Sequence, residues 1–296
     1  MKLRVRHQTR YDYSSPVSQS VNQLCLLPRS CGHQRQLSTE LVIEPEPQII
    51  DRGEDHYGNA VARFGIHEPH QRCTITVTSL IDTRDELPPL PMSIGILENR
   101  QHMQTGGDQA SLMAHDCLLP SPHIPAERTV DTLLAECSPD EHSVYSYAEK
   151  LMHHIYTTFK YDAKFSTIVT PLSDVLDARR GVCQDFAHLA IATLRRAGIP
   201  ARYVSGYLET LPPPGQEKLR GADASHAWFA VYDATLGWRD FDPTNGKRPD
   251  CQYVVTARGR DYGDVAPLKG IVYGGGKHRL RVEVDVDRVP TLVTNN

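Results

Sequence analysis

The chain has 296 residues, 40% of them hydrophobic and 23% charged, and its 32 Lys and Arg against 36 Asp and Glu give a formal net charge of -4. That balance argues against a general nucleic-acid binder, which would carry a basic excess or stripe. No run of apolar residues nears the roughly 18 needed to cross a bilayer, so no membrane association is expected, and the length suggests about two domains.

The N-terminus MKLRVRHQTRYDY alternates charged and apolar residues and lacks the apolar stretch of a signal peptide, so a cytoplasmic location is expected. Seven cysteines (Cys25, Cys31, Cys73, Cys117, Cys137, Cys183 and Cys251) are an odd number with no CxxC pair. They read as free thiols, and a tetrahedral zinc site is not expected.

From Leu3 to Tyr13 the period of two marks a half-buried strand; residues 37–45 and 73–82 repeat it, and HYGNAVARFGI places a Gly-Asn turn between short strands. Residues 1–85 therefore read as an antiparallel, sandwich-like β-domain. Pro, Gly and polar residues in ELPPLPMSIG and NRQHMQTGGDQ mark residues 86–130 as a linker region with little regular structure. Helical periodicity returns in SVYSYAEKLMHHIYTTFKY, where Val144, Tyr147, Ala148, Leu151 and Ile155 share a face. His153 and His154 are neighbours there, about 100° apart around the axis, and read as ordinary helix surface rather than a metal pair.

GVCQDFAHL opens a second helix, with Phe186, Leu189, Ala190, Thr193, Leu194 and Ala197 on its apolar seam and Gly198 and Pro200 ending it. Cys183 stands at or just before the first turn, where unpaired N–H groups and the helix dipole favour negative charge, and Arg179 and Arg180 are near in sequence. Position alone leaves a buried structural cysteine open as the alternative. His188 lies five residues on, about 140° around the helix, and reads as a packing residue.

ARYVSGYL then reads as a strand, and SHAWFAVYD and GWRDFDPTN as a hairpin turning between Asp233 and Gly237. A turn centred on residue 234 sets His226 opposite Asp242, and a one-residue error leaves them diagonal neighbours. An imidazole held by a carboxylate is what a nucleophile's base requires. Trp228 shares the face of His226, either covering the pair or packing the core, and Asp242 before Pro243 could also serve only to start a turn. The glycine run at 274–276 has no P-loop lysine, and HRLRVEVDVDRV alternates as a closing strand that should finish the sheet.

Taken in order, GVCQDFAHL, GIPARYVSGYLET, GADASHAWFAVY, GWRDFDPTN and GRDYGDVAPLKG resemble the bacterial transglutaminase-like proteins of the papain-like cysteine-enzyme superfamily. RHQTRYDYSSPV, LLPRS and DHYGNAV resemble the N-terminal region that accompanies that core. The resemblance covers most of the chain and is poorest between about 86 and 130. It implies an α+β protein in which an N-terminal antiparallel β-domain precedes a transglutaminase-like core at 131–296, the nucleophile at a helix N-terminus packed on an antiparallel sheet. It further implies Cys183 as nucleophile, His226 as general base and acid, Asp242 as orienting carboxylate, and acyl transfer through a thioester.

The backbone N–H of Cys183 is one oxyanion donor under this resemblance, and Tyr161 is a candidate for the second, with core packing as its alternative. Gln184 and Trp228 are expected beside the substrate, whereas Asp185 is expected to turn toward the arginines or the backbone. No cofactor or metal is required, and the partners implied are a peptide or protein substrate, an amine acceptor in a transamidase, and a second copy in a homo-oligomer. Three classes stay open: a peptidase or amidase, favoured because no DxDxDG calcium loop is present; a transamidase joining a glutaminyl donor to an amine; and a non-catalytic binding module. The loop LPPPGQEKLRGADAS is expected to decide between water and amine.

Overall fold

The computed structural model describes residues 1–85, 87–125, 128–139, 143–210, 221, 223 and 225–290. It is an α+β structure of two antiparallel sheets with helices packed on the second. The first sheet is built on β1 (Lys2–Leu24), with β2 (Gln34–Glu44), β3 (Ile49–Glu54), β4 (Ala60–Ile66) and β5 (His70–Thr83) in the order β2-β5-β1-β4-β3. Alternation buries Leu3, Val5, His7 and Thr9. The pairing of β1 with β5 is interrupted between Asp12 and Val17, and past that point its C-terminal half pairs with β4. Gly58, at φ 69°, supplies the left-handed residue in the turn before β4.

The stretch expected to be a linker with little regular structure holds two helices, α1 (Ile96–Thr105) and α2 (Gln109–Asp116). Only Ile96, Asn99 and Met103 of α1 are buried, so a core-facing stripe is nearly missing from its sequence. Its anchors are polar and tertiary: Asn99 donates to Tyr232 O at 3.2 Å and accepts from Ala234 N at 2.8 Å. Arg100 Nε donates to Ala197 O at 3.1 Å. Polar anchors of this kind leave no mark on hydrophobic periodicity.

The helical layer continues with α3 (Asp131–Cys137), α4 (Val144–Thr158) and α5 (Leu172–Ala178) around α6 (Cys183–Arg196). All six seam residues expected for α6 are buried, and so are Ala187, His188, Ile191 and Ala192. A helix buried all round is a core helix. Leu189, Ile191 and Leu194, each 0% exposed, contribute about 1.5–3 kcal/mol apiece. Beneath α6 lies the second sheet, β8 (Ala201–Leu208), β9 (Ser225–Asp233), β10 (Gly237–Phe241) and β11 (Tyr253–Gly259), in the order β10-β9-β8-β11. The two-residue strands β6 (Lys160–Tyr161) and β7 (Arg180–Gly181) form a parallel ladder.

After α7 (Tyr262–Val265), β12 (Leu268–Gly274) and β13 (His278–Arg288) return to the first sheet, where both pair with β1. The closing strand thus completes the first sheet and not the one that carries His226. The two sheets share a core of Leu3, Val5, Ile81, Tyr207, Val254, Val284 and Val286. Their junction is also polar. The outer edge of β11 is paired by two amide side chains: Gln34 bonds Val255 N and O at 2.7 and 2.8 Å, and Asn59 bonds Arg258 N and O at 2.8 and 2.7 Å. Each amide imitates a neighbouring strand and removes an open edge.

Candidate active site

Chain reversal sets up the start of α6. Arg179 takes the left-handed conformation at φ 50° and ends α5, and Lys160 N then donates to Arg179 O at 2.8 Å. Asp162 N donates to Gly181 O at 2.8 Å, so the ladder sets Tyr161 opposite Gly181. Val182 is the extended N-cap, and Cys183 is the first residue of the helix. Asp185 in the first turn reaches back to Val182 N at 2.8 Å and also accepts from Ser166 Oγ. It therefore faces backbone and a serine. Burial raises its pKa, while these two hydrogen bonds act in the opposite direction.

The arginines are turned elsewhere. Arg179 lies over the Phe159 ring at 5.0 Å and pairs with Glu136 at 2.5 Å, and Arg180 lies over Phe165 at 4.4 Å and pairs with Asp162 at 3.7 Å. The group electrostatically linked to Cys183 is an imidazole: Cys183 is among the causes that raise the pKa of His226. Cys183 is half-buried, and all seven cysteines are free thiols.

The hairpin is centred on residue 235 rather than 234, since Gly237 pairs with Asp233 and Asp240 with Ala230. Asp242, one residue past β10, therefore lies diagonal to His226. The pair is nonetheless formed, His226 Nε2 donating to Asp242 Oδ2 at 2.7 Å, with the two side chains 10% and 0% exposed. The turn reading of Asp242 holds as well, because its other oxygen accepts from Thr244 N at 2.8 Å and Asn245 N at 3.3 Å. One carboxylate oxygen shapes the backbone and the other holds the ring.

Sequence reasoning missed two further donors to Oδ2, Asn245 Nδ2 and Tyr253 Oη, both at 2.7 Å. Asn245, three residues on in DPTN, was within reach of a turn argument; Tyr253 arrives on β11 and had no local signal. Burial disfavours the charged forms of His226 and Asp242, but their mutual bond and the other donors prevail. The His226 pKa is raised to about 10, with Cys183 adding to the effect of Asp242, and the Asp242 pKa is lowered.

Trp228 is fully buried, its ring 5.9 Å from that of His226, and its Nε1 donates to Asp240 at 3.0 Å, so it both packs the core and covers the imidazole. Gly206, opposite His226, makes room for it: a Cβ there would sit 2.0 Å from Val254 O and 2.7 Å from the Trp228 ring. Tyr161 is 54% exposed, and burial raises its pKa first, then the charges of Cys183 and Asp185. Gln184 is half-buried beside Cys183.

His188 is buried, accepts from Tyr262 N at 3.1 Å and stacks on His123 at 5.5 Å. His153 and His154 bond to Glu149 O and to Glu136, so they have separate partners. Most of the loop LPPPGQEKLRGADAS lies outside the described residues. Among the described residues no helix is long and apolar enough to cross a membrane.

Comparison with known proteins agrees with this architecture. Residues 3–82 match the bacterial transglutaminase-like N-terminal region, and residues 131–243 match the transglutaminase-like superfamily. The uncharacterized Mycobacterium tuberculosis protein Rv2569c is 39% identical over 98% of this chain and 93% of its own length. A Pseudomonas aeruginosa protein-glutamine gamma-glutamyltransferase is 38% identical, over 26% of this chain and 12% of its own length. The crystal structure of a candidate cysteine protease from Cytophaga hutchinsonii has the same fold, with a TM-score of 0.74 and 24% identity over 99% of this chain and 92% of that one. The chain belongs to the transglutaminase-like superfamily.

Proposed function

We propose that the protein is a cysteine-dependent acyl-transfer enzyme acting on a peptide-type amide, with Cys183, His226 and Asp242 as its catalytic triad. The observation that carries this reading is the bond from His226 Nε2 to the buried Asp242, which leaves Nδ1 as the ring atom that serves Cys183. Asp242 fixes the tautomer and stabilises the imidazolium. The Cys183 thiolate attacks the amide carbon, His226 gives its proton to the leaving amine, and a thioester links the acyl group to the sulfur. Water or an amine, deprotonated by His226, then takes the acyl group. The oxyanion is held by the Cys183 backbone N–H, which has no acceptor within the helix, and by the phenol of Tyr161. Gln184 and the Trp228 face border the acyl group.

Hydrolysis is the favoured outcome, because the sequence carries no DxDxDG calcium loop of a regulated cross-linking enzyme. Transamidation is the second reading, favoured by the segment similar to the glutamyltransferase. Incubation with a glutaminyl peptide and a primary amine separates them, since a transamidase product carries the amine.

The test of the triad is the pH dependence of iodoacetamide alkylation at each cysteine, followed by peptide mapping. Cys183 should react fastest below pH 7 and lose that advantage in His226→Ala. Equal reactivity among the cysteines would overturn the assignment and favour a binding module. Cys183→Ala should abolish peptide turnover while leaving the melting temperature nearly unchanged.

A further inference from the structure

A cavity of about 430 Å³ opens where the two sheets meet, and its wall carries Arg84, Arg202, Arg239, Arg248, Arg258 and His33. Neither Cys183 nor His226 lines it. Arg202 and Arg258 stand on β8 and β11 on the same sheet face as Trp228, because Arg202 pairs with Ala230, and Arg258 and Trp228 both pair with Val204. Arg84 and His33 come from the first sheet's connections and close the other side.

Of the cavity's two carboxylates, Asp250 accepts from Lys247 at 2.9 Å, and Asp240 accepts from Trp228 while its charge also acts on Arg202 and Arg248. Among the described residues no carboxylate lies within ion-pair distance of any of the five guanidiniums. Among the described residues Arg248 and Arg239 donate to the carbonyls of Pro88, Leu236 and Trp238, Arg239 also lies 5.8 Å over the Tyr145 ring, and Arg202 lies 3.9 Å over the Trp238 ring. The Nε atoms of Arg202, Arg248 and Arg258 and the Nε2 of His33 are buried with no hydrogen-bond partner. Burial, followed by the charge of Arg258, pulls the Arg202 pKa down to about 9. Folding the chain around unmatched guanidiniums is costly unless an anion completes the site.

We propose that this cavity binds a phosphoryl-bearing small molecule at the junction of the two sheets. Charge and shape select the ligand. Five guanidiniums against two carboxylates leave an excess of three positive charges, more than a single carboxylate offsets, whereas a phosphoryl group carries about two negative charges near neutral pH. The five arginines reach the cavity wall from β8, β10, β11 and two connecting loops, which suits a tetrahedral group with oxygens on several sides better than a planar carboxylate. The volume admits a diphosphate or a sugar phosphate. Bridging the two sheets, the ligand would stabilise their packing and raise the melting temperature.

The test is calorimetric titration of the full chain with inorganic phosphate, pyrophosphate and glutarate in matched chloride buffer, alongside thermal unfolding. Pyrophosphate should bind saturably and raise the melting temperature, with phosphate weaker and glutarate weakest. Arg202→Met should weaken pyrophosphate by about tenfold or more, and Arg84→Gln, at an exposed position that leaves the fold intact, by a few-fold. Cys183→Ala should bind pyrophosphate like the unaltered protein, so the result stands apart from the catalytic reading. Absence of saturable binding, glutarate binding as tightly as pyrophosphate, or unchanged binding in both arginine variants would overturn the proposal.

Discussion

The His226–Asp242 network and the arginine cavity lie on one face of the same sheet, joined by the Trp228–Asp240 bond, yet their polar accounts are opposite. Asp242, 0% exposed, receives five hydrogen bonds, from His226, Thr244, Asn245 twice and Tyr253. The cavity instead leaves three arginine Nε atoms and one histidine nitrogen buried with no hydrogen-bond partner. A closed network holds its geometry before any ligand arrives, as chemistry on a fixed nucleophile demands. An open one awaits its missing partner. The difference shows that burial alone does not distinguish a finished site from an incomplete one; hydrogen-bond accounting does.

The largest effect should come from breaking the closed network. His226→Ala should slow acylation by about 100 to 10,000-fold in single-turnover assays, the usual cost of losing a general base. Asp242→Asn should reduce the rate less, since the residue orients the ring. It should cost more in stability, because an amide NH₂ then faces donors in a buried site, at about 1–3 kcal/mol for each group left unmatched. Urea unfolding measures that cost, and a stable Asp242→Asn variant would show the network to be looser than its geometry.

Gly206→Ala ranks next. Its Cβ meets the Val254 carbonyl and the Trp228 ring, not the end of a flexible side chain, so the sheet must shift. Overpacking of this kind costs about 1–3 kcal/mol or more, read as a lowered urea midpoint together with altered Trp228 fluorescence.

Changing pH tests the charge of the closed network. His226 has a pKa raised to about 10, so its contribution is complete below the ordinary 6.5 and is lost as pH rises toward 10. Burial holds His7 and His188 down to about 4 and about 3, so they contribute above 6.5 and lose that contribution as pH falls through their depressed values. Stability from these three groups should therefore peak near pH 6.5. In Cys183→Ala, which removes one cause of the raised His226 pKa, the alkaline decline should still begin near 6.5 but end at lower pH and be smaller. Urea midpoints from pH 4 to 10 check both.

The smallest effect is expected in the open network. Arg202→Met should change ligand-free stability by under about 1 kcal/mol, because relief from Arg258 offsets the lost stacking on Trp238. A large loss on urea unfolding would mean that the guanidinium is already well matched without a ligand.

Much of the candidate site was legible locally. The apolar seam and the glycine stop defined α6 and put Cys183 at its first turn, and strand alternation placed Trp228 beside His226. Hairpin counting missed the register by one residue and still brought His226 to Asp242, because diagonal neighbours remain within reach of a long side chain. The directions of Arg179 and Arg180 were not legible, since each is set by an aromatic ring and a carboxylate brought in by folding.

By itself, then, the sequence determined the α+β class, the helix that begins at Cys183 and the hairpin that joins His226 to Asp242, because periodicity and turn chemistry act over a few residues. Tertiary structure alone decided that β12 and β13 return to β1, that Tyr253 closes on Asp242, that Gln34 and Asn59 cap β11, and that five arginines from separate segments meet in one cavity. Those arrangements depend on which strands pair across long stretches of chain, and a pairing of distant strands leaves no pattern in either strand read alone.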